Sequence, residues 1–415
     1  MNRKKVGILA FLLIYLFCVT AAASKVQAAV PVEEPTGLYG QSAVLMDAES
    51  GRVLYEKEGS REMPMASTTK IMTCLVALER ADQDLEVTVS ANAAAQPDVQ
   101  MNIREGERYR LGDLLRGMML ESFNDVAVAV AEAVGQNVEN FAVLMNERAE
   151  SLGCTDTHFV TPNGLDASDG GGEHHTTAHD LALILSAAIH NEEFLAITQT
   201  GEFTVTELDG KRTVTAHNKN ALLQNTKGAI SGKTGFTGKA GYCYAGAVQR
   251  DERTLVAVSL ASGWPPHKEY KWQDMQKLFG YGFDYFHYRT ASAADAQTVD
   301  RITVKNGKVL QIGETAQTLL NVPDTQLRML IRDDEELSVS ADQKSSIWAP
   351  AKKGTTVGWI SFLLEGETVE QQAITVSQAV DAEDYPWDIY RIFCYFFHVF
   401  NQKMLKLNSI QAIID

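Results

Sequence analysis

The chain predicts an α+β fold, and three features carry that expectation. Helix-spaced apolar segments fill its middle, strand-like runs flank them on both sides, and a late stretch of short alternating runs reads as a separate unit. The architecture expected is an antiparallel sheet completed by distant segments and packed with helices. A small all-β domain and a C-terminal amphipathic helix then follow. With 415 residues, 45% of them apolar, the chain can bury a large core and build more than one domain.

Residues 1–5 are basic (Arg3, Lys4, Lys5), residues 6–23 are apolar, and Val26-Gln27-Ala28 offers small residues at a cleavage site. This is the pattern of a secretory signal, with the mature chain starting near Ala29. An uncleaved anchor is the rival reading. Cys18 is preceded by Leu16 and Phe17, too bulky for a lipoprotein signal. A Pro- and Glu-bearing spacer covers 29–37. Residues 42–47 and 52–57 around Glu49-Ser50-Gly51 read as a hairpin. Helical spacing marks 67–78, 111–120, 125–134, 138–152 and 178–189, the last with Thr177 as N-cap. Strands are expected at 242–248 and 254–260, either side of the polar turn 249–253.

From about 298 to 379, short runs such as Gly358-Trp359-Ile360-Ser361-Phe362 alternate with Gly- and Asp-bearing turns, a small all-β domain. At the end, residues 387–407 are rich in Phe, Ile and Leu but interrupted by Arg391 and His398, too short an apolar run to span a membrane. As a helix, Asp388, Arg391, Tyr395, His398, Gln402 and Lys406 share one stripe. Ile389, Phe393, Phe396, Phe400, Met404 and Leu407 lie broadly opposite. That pattern suits a helix lying in a membrane interface, with Tyr385 and Trp387 at headgroup level. A helix docked on the protein's own core is the alternative.

The formal charge is −16; without the four basic residues among the first 28, 33 basic residues face 53 acidic ones, a balance of −20. Such a chain repels phosphates, which argues against nucleic acid partners. Cys74, Cys154, Cys243 and Cys394 are scattered without CxxC spacing, so neither disulfides nor a cysteine metal site is expected.

Three short motifs carry the chemistry: Ser67-Thr68-Thr69-Lys70, Ser122-Phe123-Asn124 and Lys233-Thr234-Gly235. A serine hydroxyl needs a base before it becomes a nucleophile. On a helix, Ser67 and Lys70 share a face, and the helix N-terminus favours a developing oxyanion. Burial and a second cation, for which Lys233 is the candidate, would lower the Lys70 proton affinity far enough for it to act as base. Ser122 and Asn124, two apart in a loop, can face one cleft, although Ser and Asn there also suit a helix cap. The Lys233 ammonium and Thr234 hydroxyl suit a carboxylate, and Gly235 lets a substrate backbone approach. Each motif alone is weak.

In this order and spacing the motifs resemble those of the penicillin-recognising serine enzymes. The flanking Thr161-Pro162-Asn163-Gly164-Leu165, His174 with Thr176-Thr177-Ala178 and Asp180, His217-Asn218-Lys219-Asn220, and Ala240-Gly241-Tyr242-Cys243 resemble the D-alanyl-D-alanine carboxypeptidases among low-molecular-mass penicillin-binding proteins. The resemblance covers nearly all of the mature chain. It implies a β-lactamase/transpeptidase-like catalytic domain at 38–292, a β domain at 293–380 and a membrane-associating helix at 381–415. It also implies roles. Ser67 would attack the bond between two terminal D-alanines of a peptidoglycan stem peptide, with Lys70 as base and Ser122 as proton relay. Asn124, Lys233, Thr234 and Gly235 would hold substrate, and the amides of Ser67 and Phe236 would form the oxyanion hole. β-Lactams would acylate Ser67, no cofactor is required, and the enzyme would act outside the cytoplasmic membrane, attached to its surface. Phe123 stands where relatives often have Gly and is expected to narrow the cleft wall.

His174, His175 and His179 with Glu173 invite a metal reading, but no His-Glu-x-x-His frame is present and no metal is expected. A serine β-lactamase shares the three motifs, yet no Glu-x-x-Leu-Asn lies between Asn124 and Lys233. A non-catalytic β-lactam sensor is disfavoured by the intact Ser67, Lys70 and Lys233.

Overall fold

The structure, a computed structural model, describes residues 32–309, 313–384 and 392–403. The expected signal (1–28), together with Tyr385, Trp387, Asp388, Ile389, Arg391, Met404, Lys406 and Leu407 of the tail, lies outside the described residues.

Strands β1 (Ser42–Asp47) and β2 (Val53–Lys57) form the expected hairpin, and β3 (Ala229–Thr237), β4 (Gly241–Arg250) and β5 (Arg253–Leu260) follow only after a long helical stretch. Together they make one sheet in the order β2-β1-β5-β4-β3, antiparallel throughout. The N-terminal strand β1 therefore pairs with β5, and β3 is left as an edge. Strands buried on both faces read as continuous apolar runs. β1 and β5 are such runs, with Val44, Leu45, Met46, Val256, Ala257 and Val258 all fully buried.

Helices α1 (Lys70–Arg80), α2 (Leu111–Glu121), α3 (Asn124–Gly135), α4 (Val138–Ser151) and α5 (Ala178–Ile189) match the five predicted segments, the last four within one residue of the predicted limits. Thr177 caps α5 by accepting from the Asp180 amide at 3.0 Å. Their apolar faces join β1, β4 and β5 in one core. The sequence reading missed α6 (Tyr270–Tyr285), which covers the opposite face. A Cβ on its Gly282 would sit 2.5 Å from Leu255 and 2.8 Å from Leu45, so glycine permits the close approach.

The first predicted helix is corrected at its start. Ala66–Thr69 is a turn of 3-10 helix, and α1 begins at Lys70. The cause is local: the Thr68 and Thr69 hydroxyls donate to the Met65 and Ala66 carbonyls at 2.6 and 2.8 Å, and such back-bonding competes with regular helix.

The expected β domain is a six-stranded sheet in the order Leu337–Gln343, Thr356–Leu364, Glu367–Val376, Gln317–Asn321, Arg301–Lys305 and Ser346–Trp348, the last pair parallel. Its core holds Ile302, Val357, Ile360, Phe362, Ile374 and Val376. Phe286–Ser292 pairs over seven residues with Gln326–Arg332, so a strand before the expected boundary at 293 hydrogen-bonds to one beyond it. Residues 392–403 are helical, with every residue exposed. Gln402 donates to His398 at 3.3 Å and Phe393 packs on Phe397 at 5.3 Å.

Candidate active site

Ala66 opens the 3-10 turn with φ +48°, a left-handed conformation that is unfavourable for a residue with a Cβ. That bend sets Ser67 at the head of α1 against the edge strand. At Gly235 of β3, a Cβ would lie 3.0 Å from both the Ser67 amide and the Met65 carbonyl and 3.1 Å from the Ala66 Cβ. The β3 backbone thus passes directly beside the Ser67 amide, and Gly235 is what permits it.

Lys70 is fully buried. Its Nζ donates to Ser67 Oγ at 2.9 Å, Asn124 Oδ1 at 2.9 Å and the Asn163 carbonyl at 2.6 Å. Three acceptors match the three protons of an ammonium. In the neutral amine, two N–H groups serve Asn124 and Asn163, and the lone pair is left to accept from the Ser67 hydroxyl. The surroundings favour that neutral state. Burial, then the charge of Lys233, holds Lys70 well below its ordinary value, with Asp125 acting in the opposite direction.

Lys233 is 3% exposed. It donates to Ser122 Oγ and to the Thr234 carbonyl, both at 3.0 Å, and burial brings it down to about 7. Ser122 ends α2 in the left-handed region, φ +71°, which turns its hydroxyl toward Lys233. The structure thus gathers Ser67, Lys70 and Asn124 into one hydrogen-bonded group. Ser122 and Lys233 form a second, and the charge of Lys233 acts on Lys70. Chemically this is a serine with a neutral amine base, a second hydroxyl on a cation, and an edge strand open to an extended peptide.

Two expectations change. Asn124 is the first residue of α3, not a loop or a cap. Its Oδ1 accepts from Lys70, and both amide protons go to the Pro97 and Asp98 carbonyls at 3.2 and 2.9 Å. In this arrangement Asn124 orients the lysine and ties it to the backbone at residues 97 and 98. Phe123 is 6% exposed and packs toward Gly117, inside the core and not on the cleft wall.

Sequence reasoning gave no role to Asn163, and it read His174 as part of the family resemblance and as a possible metal ligand without a structural role. The Pro162-Asn163-Gly164 turn presents the Asn163 carbonyl to Lys70; its Asn-Gly step was a readable turn signal. His174, 4% exposed, stands behind that turn. Its Nδ1 accepts from the Val160 and Thr161 amides at 2.9 and 3.3 Å, and its Nε2 faces Thr69 Oγ1 at 2.8 Å. Two amides on Nδ1 fix the neutral tautomer with Nε2–H donating, and burial pushes the ring down to about 3. His175 pairs with the Glu173 carbonyl and His179 with Asp180, so the three rings diverge. Among the described residues no group of three metal-ligating side chains occurs.

Fold and site together set a serine hydroxyl beside a buried lysine amine, the arrangement of an active-site serine enzyme. Residues 28–263 match the D-alanyl-D-alanine carboxypeptidase family model, more than half of the chain, and the chain belongs to that family. It is 31% identical over 383 residues to D-alanyl-D-alanine carboxypeptidase DacC of Escherichia coli, covering 89% of this chain and 90% of that one. It is 28% identical over 343 residues to DacF of Bacillus subtilis, covering 81% and 85%. Among solved structures it resembles penicillin-binding protein 5 of Haemophilus influenzae, with a TM-score of 0.65 and 25% identity over 84% of this chain and 99% of that one.

Proposed function

We propose that this protein is a serine-type D-alanyl-D-alanine carboxypeptidase that trims peptidoglycan stem peptides outside the cytoplasmic membrane. The observation that carries the reading is the Lys70 Nζ, buried and 2.9 Å from Ser67 Oγ. Neutral Lys70 takes the Ser67 proton as Oγ attacks the carbonyl between the two D-alanines. The oxyanion forms between the backbone amides of Ser67 and Phe236. Lys233 and Thr234 hold the terminal carboxylate, which restricts the enzyme to the last residue of the chain. Ser122, on the Lys233 ammonium, passes a proton to the leaving D-alanine amine. Water then releases the acyl group, and Ser67 is free again. A β-lactam follows the same first step and remains as the acyl-enzyme.

The domain division at 38–292 and 293–380, the signal at 1–28 and membrane attachment through 381–415 belong to the same proposal. The exposed 392–403 helix, carrying Phe393, Phe396, Phe397 and Phe400, supports the attachment. The test is incubation of purified protein with a stem pentapeptide ending in D-Ala-D-Ala. Free D-alanine is the expected product. Rapid penicillin hydrolysis without D-alanine release overturns the reading in favour of a β-lactamase.

A further inference from the structure

Asp125 follows the lysine-orienting Asn124, yet the chemistry above leaves it idle. It is 1% exposed. Its Oδ1 accepts from the Met101 and Val126 amides at 3.0 and 2.9 Å, and its Oδ2 from the Ile103 amide at 3.1 Å. Accepting three amide protons suits a carboxylate, and its place in the first turn of α3 favours negative charge. No cation hydrogen-bonds to it among the described residues. Those three amides hold its negative charge at a fixed place inside the protein.

Two features give that charge a role. First, residues 97–103 hang on Asn124 and Asp125 together. Asn124 holds the Pro97 and Asp98 carbonyls through its side chain and the Val99 carbonyl through its own amide at 2.7 Å. Asp125 holds the amides of Met101 and Ile103. This segment borders the site, since the adjacent Gln96 accepts from Asn163 Nδ2 at 3.2 Å. Second, Asp125 adjoins Asn124, whose Oδ1 accepts from Lys70 Nζ at 2.9 Å, and of the charges acting on Lys70, Lys233 from β3 lowers its proton affinity while Asp125 from α3 raises it. His174, from the loop before α5, is neutral. Asp125 is therefore the anion that offsets the repulsion between the two buried lysines.

We propose that Asp125 is a positioning residue for acylation, a buried counter-charge to Lys70 that also fixes the 97–103 wall to the start of α3. The inference rests on the reading of Lys70 as base. Without the Asp125 charge, Lys70 loses its proton at lower pH, so the acid limb of acylation moves down.

The test is the pH dependence of acylation of the full chain by fluorescent penicillin, with folding followed by thermal unfolding. In Asp125→Asn, a donor faces the Ile103 amide and the charge is gone. The expected result is an acid limb lower by about half a pH unit or more, since removing a nearby charge shifts a buried group on that scale, together with a lower plateau. An unmoved limb in folded Asp125→Asn overturns the inference. If that variant does not fold, Asp125→Glu decides. Keeping the charge, it should hold the limb in place while the plateau falls; a limb displaced downward overturns the inference. Lys70→Met separates the two levels. Its retained acylation sinks the base assignment itself, whereas its inactivity beside an unmoved Asp125→Asn limb sinks only the present inference.

Discussion

The Gly164 α-carbon lies against the Ala66 carbonyl so closely that a Cβ on Gly164 would sit 1.9 Å from that oxygen and 2.9 Å from Thr69 Oγ1. Gly164 is also left-handed, with φ +84°. The turn that presents the Asn163 carbonyl to Lys70 is thus seated directly on the turn that carries Ser67. Gly164→Ala is expected to destabilise the protein by roughly 3 kcal/mol or more, combining overpacking and backbone strain. Penicillin acylation should fall with it, because Asn163 leaves Lys70. Thermal unfolding and acylation rates check this; a Gly164→Ala protein matching the parent in both would show the seat to be loose.

The two buried lysines predict a bell-shaped profile of kcat/KM. Its acid limb belongs to Lys70, which must be neutral to act as base. Its alkaline limb belongs to Lys233, at about 7 in the free enzyme, which must be charged to hold a carboxylate. Bound substrate places that carboxylate beside Lys233 and raises its proton affinity, so the alkaline limb of kcat should lie at higher pH than that of kcat/KM. Stability gives an independent reading. Between about 7 and the unfolded value of 10.5, the unfolded chain binds the proton that folded Lys233 lacks. Lys233 therefore makes stability rise with pH across that window. Lys233→Met should flatten that rise; an equal rise in both proteins contradicts the assignment.

His174 ties together both turns around Ser67. His174→Ala leaves the Val160 and Thr161 amides without their acceptor, while Thr69 Oγ1 keeps its bond to the Ala66 carbonyl, and each buried unsatisfied group costs about 1–3 kcal/mol. Destabilisation of roughly 3 kcal/mol is expected on that scale, with slowed acylation. With folded His174 at about 3 against 6.5 unfolded, the unfolded chain binds the extra proton between those values. His174 therefore contributes a rise of stability with pH from about 3 to 6.5, which the variant should lack. A parent-like slope in His174→Ala would mean the ring titrates normally.

These three sites differ in how far the sequence disclosed them. Ser67, Lys70, Ser122 and Lys233 were legible because side-chain chemistry at short, ordered spacings marks them. Asn163 was not, because it acts through a backbone carbonyl that any residue carries; only its Asn-Gly turn was visible. His174 looked like a ligand because a neutral ring that orders two loops has the same letter as one that binds metal. In the fold, α2 and α5 were legible from their apolar period. α6 was hidden because Lys271 and Asp274 are buried on its inner side, which breaks the apolar stripe. Asp274 accepts from the Tyr39 and Gly40 amides at 2.8 Å and from Ser259 at 2.9 Å, partners no local pattern reveals.

Arg52, whose carbonyl accepts from the Asp47 amide in the hairpin as expected, also joins the two parts of the chain through its side chain. Its Nη2 donates to both Glu335 oxygens at 2.7 and 2.8 Å, its Nη1 to the Leu330 carbonyl, and its guanidinium lies 5.9 Å from the Phe286 ring. The pair is well shielded, with side chains 16% and 15% exposed. Arg52→Ala is expected to lower stability by roughly 1–3 kcal/mol, between the values for surface and buried pairs. Acylation should stay within about twofold, because nothing in the pair reaches Ser67. Denaturant unfolding alongside penicillin labelling checks both; undiminished stability would show that the junction is held elsewhere.

The exposed aromatics of the 392–403 helix lead to a prediction about location, separate from chemistry. Phe393, Phe396 and Phe400 are each more than 60% exposed, an arrangement that water disfavours and an interface would cover. His398 and Gln402, one turn apart, bond to each other and supply a polar side. A chain ending at Asp384 should move from the membrane fraction to the soluble fraction. Full-length Phe393→Glu with Phe396→Glu should bind vesicles of anionic lipid more weakly, while D-alanine release from a soluble pentapeptide stays unchanged in both proteins. Sedimentation with such vesicles reads the first effect and a D-alanine assay the second. If the shortened chain still sediments, attachment lies outside this helix, and retention of residues 1–28 becomes the reading to test.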